Sequence, residues 1–356
     1  MARYRGLALS ISVIVSIFLF VQLGALALVE PFKTAGLQAV EDPQNPVNSL
    51  LYIAAILVMT GVMLAAFKYE VQWAIRGLIV ATGAYIALLV FSILLPPVVT
   101  LPVGDGLHGL AWVGAIGLGV ALYAYPEWYV IDATGAVMGA GAAGLFGITF
   151  GVFPALVLLS VLAVYDAISV YGTEHMLTIA SGVMDLKVPV VLVAPMSVGY
   201  SFREDTAGLD EESDNEKGDP TADDATTEPE DTDVTAESGS AEAAEGDSAD
   251  PLEDREALFI GLGDAIIPTV LVASVAFFAD ASVPTVDIGA FSVAVPAATA
   301  VVGTFLGLAV LLRMVLAGRA HAGLPLLNGG AIAGYLVGAL ASGMTLVETL
   351  GLGPYL

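Results

Sequence analysis

Nine stretches of this chain are each about as long as a bilayer's apolar core is thick, and that limits what it can fold into. A hydrocarbon core of ~30 Å takes roughly 20 apolar residues of α-helix. Such runs fall at about 7–28, 48–67, 74–95, 107–125, 130–150, 152–171, 257–279, 290–316 and 324–346. In lipid every backbone N–H and C=O must bond within the protein, and runs of this length do so as helices. The expected fold class is an all-α polytopic membrane protein with nine transmembrane helices. The fourth, fifth and sixth runs are divided only by short breaks, at Pro126-Glu127 and at Gly151 to Pro154. Gly135, Gly139 and Gly144 in the fifth run leave room for helix backbones to approach closely.

A chain that is 57% hydrophobic rarely carries a net charge of -25. The contradiction disappears once the charge is located. Residues 204–254 hold 21 acidic residues and one base, Lys217, and so account for -20 of it. Large aliphatic and aromatic residues are almost missing there, so the segment cannot bury enough apolar surface to offset its ordering entropy. It is expected to be a disordered acidic cytoplasmic loop between helices six and seven; a recruitment or regulatory role is the alternative. The chain then divides into an N-terminal six-helix part (1–203), the loop (204–254) and a C-terminal three-helix part (255–356). Acidic excess with few lysines also suits a cytoplasm of very high salt, as in halophilic archaea. Without a basic patch, nucleic acid is not an expected partner. The chain has no cysteine, which excludes disulfides, thiolate metal sites and cysteine nucleophiles. His108, His175 and His321 are scattered and make no metal-binding cluster; no metal or cofactor is expected.

The first run could be mistaken for a signal peptide, with Arg3 and Arg5 ahead of it and Ala25-Leu26-Ala27 near its end. Its apolar length exceeds the ~7–15 residues of a signal-peptide core, which predicts a retained helix. With the N-terminus in the cytoplasm, ten of the eleven basic residues fall inside and only Lys33 outside. That obeys the positive-inside rule and puts the C-terminus outside.

Acids within membrane helices are costly and usually functional. Asp132, close to the Pro126-Glu127 break, is expected to be interfacial and solvated. Asp166 lies in the sixth run and Asp264 in the seventh, each one to two turns from the cytoplasmic end. These two runs are antiparallel, so the two carboxyls can face each other. Two adjacent carboxyls in a poorly solvated site cannot both ionise cheaply, and they titrate as a pair. One can take a proton from water while the other, protonated, polarises a peptide carbonyl. A gem-diol then collapses as a proton reaches the leaving nitrogen. Gly261 and Gly263 leave room for water and an extended substrate backbone. The same two acids would equally serve a proton relay in a secondary transporter, although the six-plus-three split lacks the repeat symmetry usual there. A non-enzymatic scaffold leaves the matched acids unexplained.

Tyr165-Asp166, then Gly261-Leu262-Gly263-Asp264 after a long polar loop, resembles the presenilin and signal peptide peptidase group of intramembrane aspartyl proteases. That group has nine helices, with YD in the sixth, GxGD in the seventh and Pro-Ala-Leu at the start of the ninth. Here the third motif falls at Ala322-Gly323-Leu324-Pro325 and departs from the pattern at its first two positions. The resemblance implies a presenilin-like fold with Asp166 and Asp264 as the catalytic pair. It implies that Tyr165, Gly261, Leu262, Gly263, Ala322, Gly323, Leu324 and Pro325 line the site. The implied substrates are transmembrane helices of membrane proteins or signal-peptide remnants within the lipid bilayer, unwound locally so that a strand can pair near the seventh helix. The β-branched run Lys187 to Val193 could supply such an edge; a re-entrant or interfacial segment is the alternative. Tyr171 to Met184 reads as a short amphipathic interfacial helix. His175 and His321 read as solvated interfacial residues. Oligomeric state is not legible.

Overall fold

The computed structural model describes residues 2–69, 71–96, 100–101, 107–172, 191–197, 199–203, 257–288, 291–317 and 322–355. The acidic loop, most of the stretch 171–184, His175 and His321 lie outside the described residues.

Among the described residues, seven helices have the length and apolar composition to cross a membrane. They are α1 (Ala2–Thr34), α2 (Val47–Lys68), α3 (Gln72–Leu94), α5 (Trp128–Thr149), α6 (Val152–Gly172), α8 (Val295–Leu316) and α9 (Gly323–Ala341). Two shorter apolar helices complete the set, α4 (Gly109–Ala124) and α7 (Leu262–Phe278). A single turn, α10 (Leu346–Thr349), follows α9. The chain is a multi-pass membrane protein. Its exposed apolar side chains agree with this: Leu50, Leu51, Leu57, Val58 and Val62 all project from α2, which would be costly in water and is ordinary against lipid.

The chain departs from an all-helical plan in three short antiparallel pairs. These are β1 (Thr100–Leu101) with β2 (Leu107–His108), β3 (Val191–Pro195) with β4 (Ala257–Gly261), and β5 (Thr285–Ile288) with β6 (Phe291–Ala294). Three expected runs are therefore shorter as helices. The seventh starts at Leu262 and not near 257, because Ala257–Gly261 pairs with β3. The eighth starts at Val295, after β6, and the fourth at Gly109, after β2.

The helix pair α5 and α7 forms the centre. Among the helices long enough to cross a membrane, α5 is the most enclosed; it packs on α1, α3, α4 and α7. Its glycines explain the fit. A Cβ at Gly139 would meet Val21 of α1 at 3.1 Å and Leu262 of α7 at 3.4 Å, and one at Gly144 would meet Phe32 of α1 at 3.1 Å. Phe18, Val21, Ala25 and Phe32 of α1 are buried, so this helix is a structural part of the core. The tightest contact is between α8 and α9. There Gly303 lies against the Gly330 carbonyl and Gly334 against the Thr299 carbonyl, leaving no space for a Cβ.

Candidate active site

Three chain segments converge at one end of the α6–α7–α9 group. In α6, Asp166 lies six residues before the helix end and is 8% exposed. In α7, Asp264 is the third residue of the helix and is partly buried. It is nearer the helix start than the sequence suggested, because β4 takes the residues before Leu262. Pro268 stands one turn further on and has no N–H to bond the Asp264 carbonyl, which loosens this first turn.

The N-terminus of α9 brings both acids together. The first N–H groups of a helix have no partner within it. Here the Leu324 N–H donates to Asp166 Oδ2 at 3.1 Å. Its neighbour Gly323 stands directly over the other acid: a Cβ at 323 would lie 2.8 Å from Asp264 Oδ2 and 3.2 Å from Cγ. Two consecutive residues thus touch the two carboxyls, which are also within electrostatic reach of each other. Next to them, the Ala322 N–H donates to the Tyr171 hydroxyl at 3.4 Å. This is a contact that a proline at 322 could not make.

The other expected site residues are distributed around this pair. Gly261 and Gly263 are exposed; a Cβ at Gly261 would lie 3.7 Å from Asp264 Oδ2, and one at Gly263 would meet nothing within 4 Å. Leu262, between them, is buried and turned towards Gly135 and Gly139 of α5, so it anchors α7. Tyr165 is 40% exposed on the outer side of α6. Ala322 is buried, while Leu324 and Pro325 are partly buried. Among the described residues, no group of three His, Cys, Asp or Glu side chains is placed to hold a metal ion.

A family model described as signal-peptide peptidase, presenilin aspartyl protease matches residues 15–344. The chain belongs to that family. Two solved structures of a presenilin family intramembrane aspartate protease, from two space groups, are similar to it along most of its length. One is 30% identical, with a TM-score of 0.56 over 91% of this chain and 96% of the other. The second is 32% identical, with a TM-score of 0.55 over 91% of this chain and 95% of the other. No curated protein matches significantly. The activity is that of an intramembrane-cleaving aspartic endopeptidase of the presenilin and signal peptide peptidase type, and its substrates are transmembrane segments of membrane proteins. Nothing in the comparisons supports the transporter alternative.

The surroundings of two residues were not read from the sequence. Asp132 is not solvated. It is 5% exposed, and its Oδ1 accepts the Val193 N–H at 2.8 Å. The correction has a simple cause: β3 folds back against α5 and supplies a donor that no local pattern predicts. Asn328, one turn beyond Leu324, is fully buried and donates through Nδ2 to the Leu159 carbonyl of α6 at 3.0 Å. Leu159 is two turns from Asp166 on the same stripe of α6. The Leu324 and Asn328 bonds are therefore two rungs of one α6–α9 seam. An amide inside an apolar helix is the signal that could have marked Asn328.

Proposed function

We propose that Asp166 and Asp264 are the catalytic pair and that they hydrolyse a peptide bond with a water held between them. The observation that carries this is the meeting of both carboxyls at Gly323 and Leu324. One carboxylate takes a proton as the water oxygen attacks the peptide carbonyl carbon, and the other carboxyl donates to the carbonyl oxygen. The gem-diol then collapses: a proton passes to the leaving nitrogen, the C–N bond breaks, and the pair regains its starting protonation. Gly261, Gly263, Gly323 and Leu324 line the cleft, with Ala322 and Pro325 holding the α9 end in place. Leu262 anchors α7 behind the site, and Tyr165 precedes Asp166 on α6.

An unwound substrate segment is expected to add as a strand, and the pattern of free edges favours β4. Val193 pairs with Phe259 yet gives its N–H to Asp132, so both residues turn their hydrogen-bonding groups away from the ladder. On the β3 side those groups meet Asp132 and α1, where Ser10 Oγ donates to the Pro195 carbonyl at 2.9 Å. On the β4 side Phe259 has no backbone hydrogen bond outside the ladder among the described residues, and the strand leads straight through Gly261 to Asp264. The edge offered by the run ending at Val193 is thus the less available one.

The nine-helix count is supported by α4 and α7 lying between longer spans, with the positive-inside balance favouring a cytoplasmic N-terminus and an outer C-terminus. Residues 1–203 and 255–356 form the two working parts, one carrying each aspartate. The acidic segment 204–254 joins them in sequence, its charge suits a high-salt interior, and signal-peptide remnants are among the substrates.

The test is cleavage of a reporter transmembrane segment by the purified full-length chain in detergent. Asp264→Asn and Asp166→Asn should each abolish the product while leaving the fold intact. Cleavage surviving in either variant would refute the assignment.

A further inference from the structure

We propose that Asp132 is a positioning residue of the protease: by tying β3 to α5 it sets the register in which substrate reaches the aspartates. This rests on the catalytic pair assigned above and on strand addition at β4. The sequence of contacts is short. Asp132 is the fifth residue of α5 and is almost wholly buried. Its Oδ1 takes the outward N–H of Val193 at 2.8 Å. Val193 stands opposite Phe259 at the middle of the five-residue β3–β4 ladder. Two residues past Phe259 comes Gly261, and α7 with Asp264 begins at once.

Asp132 has two consequences for that sheet. The first concerns register. A strand that slips by one residue turns every side chain to the opposite face. Two strands of five residues have few bonds to resist slippage, and an external acceptor fixed on a helix adds a reference point. The second is closure of an edge. Val191, Val193 and Pro195 face outward on β3, by the same alternation that puts Val193 opposite Phe259. Proline has no N–H, and Val193 gives its own to Asp132, so an incoming strand finds little to pair with on that side. Substrate is left with β4, next to the acids.

The cost of holding a carboxyl at this place is informative. Asp132 Oδ2 is buried and has no hydrogen-bond partner among the described residues. An acid with an unpaired oxygen inside a membrane helix is costly, and acids kept there generally serve function. A residue whose sole purpose was packing between α1 and α5 would be served better by leucine.

The experiment uses the purified full-length chain, a reporter transmembrane segment, kinetics and mass spectrometry of the products. Asp132→Ala removes the acceptor. The expected result is a mixture of products cut at neighbouring bonds, with kcat lowered about tenfold and KM changed less than about twofold. Asp132→Asn keeps an acceptor oxygen and should restore the single wild-type product. Val193→Pro removes the donor from the other end and should reproduce the alanine pattern. It also decides the matter if Asp132→Ala does not fold. A single wild-type cut at unchanged kcat in Asp132→Ala, or in Val193→Pro, would overturn the proposal. So would Asp132→Asn behaving like alanine. Asp264→Asn runs alongside: cleavage there would disprove the catalytic pair itself, a failure distinct from any result at Asp132.

Discussion

Changing Gly323 to alanine writes the family's own second letter into the third motif, and the geometry says that it should impair this enzyme. The new Cβ would lie 2.8 Å from Asp264 Oδ2 and 3.3 Å from Oδ1, whereas ordinary contact starts at 3.4 Å. The carboxyl must therefore yield by about 0.6 Å. It can do so, because the obstructing atoms end a side chain and are not backbone. Misplacing a reacting group by ~1 Å can cost about a hundredfold in rate. About 0.6 Å then corresponds to a loss of roughly 5- to 20-fold in kcat, or ~1–2 kcal/mol in the barrier. Stability should move the other way, since alanine lowers the entropy of the unfolded chain by ~0.4–1 kcal/mol where its backbone conformation is allowed. The assay is steady-state cleavage of a reporter segment in detergent, together with a thermal melt of the same sample. Lower kcat with an unchanged or higher Tm is the expected pair of results. Wild-type kcat would show that 323 does not crowd Asp264, and a large fall in Tm would show that the carboxyl cannot absorb the clash.

Further expectations concern the helices that hold the pair. Asn328→Asp replaces the donor to the Leu159 carbonyl with a buried acid and should cost ~2 kcal/mol or more, seen as a lower Tm. Asn328→Leu loses one hydrogen bond but also removes a buried oxygen that has no partner among the described residues, so its stability should stay within ~1 kcal/mol of wild type while kcat falls. Gly330→Ala drives a methyl into the Gly303 carbonyl of α8, which backbone cannot evade; a loss of ~2–3 kcal/mol is expected in a detergent melt. At the far end, Thr345 donates its N–H and hydroxyl to Glu348, holding that carboxyl below its usual range. A depressed acid contributes stability above its unfolded pKa and loses it as pH falls through the folded one. Amide exchange across α10 should accordingly speed up in acid, and Thr345→Ala should flatten that response.

The helices were legible in sequence because apolar length is nearly sufficient to define them. Even the two-residue and four-residue breaks at Pro126-Glu127 and Gly151 to Pro154 coincide with helix ends, since α4 stops at Ala124 and α6 starts at Val152. The strand before α7 was not legible. Ala257 to Gly261 is an apolar run continuous with the helix, and periodicity cannot separate a short strand from buried helix. What decides is Val191–Pro195, which lies across the whole acidic loop in sequence. Asp132 was misread for the same reason. Its neighbours suggest a wet helix end, while its partner is a main-chain amide 61 residues away. The proposed catalytic pair could be read as two acids at matching depth. The α9 end that meets them could be placed only by its spacing, because Ala322-Gly323 departs from the motif's letters.

The group that reaches Asp166 is a peptide N–H, which any amino acid except proline can provide. What position 324 requires of evolution is hence a location, while position 323 in this chain has no room for a methyl unless Asp264 moves. Two members of such a lineage can spell this corner differently and still hand the same amide to the same acid, so a search for further relatives would do better to match side-chain size at this corner than to match letters.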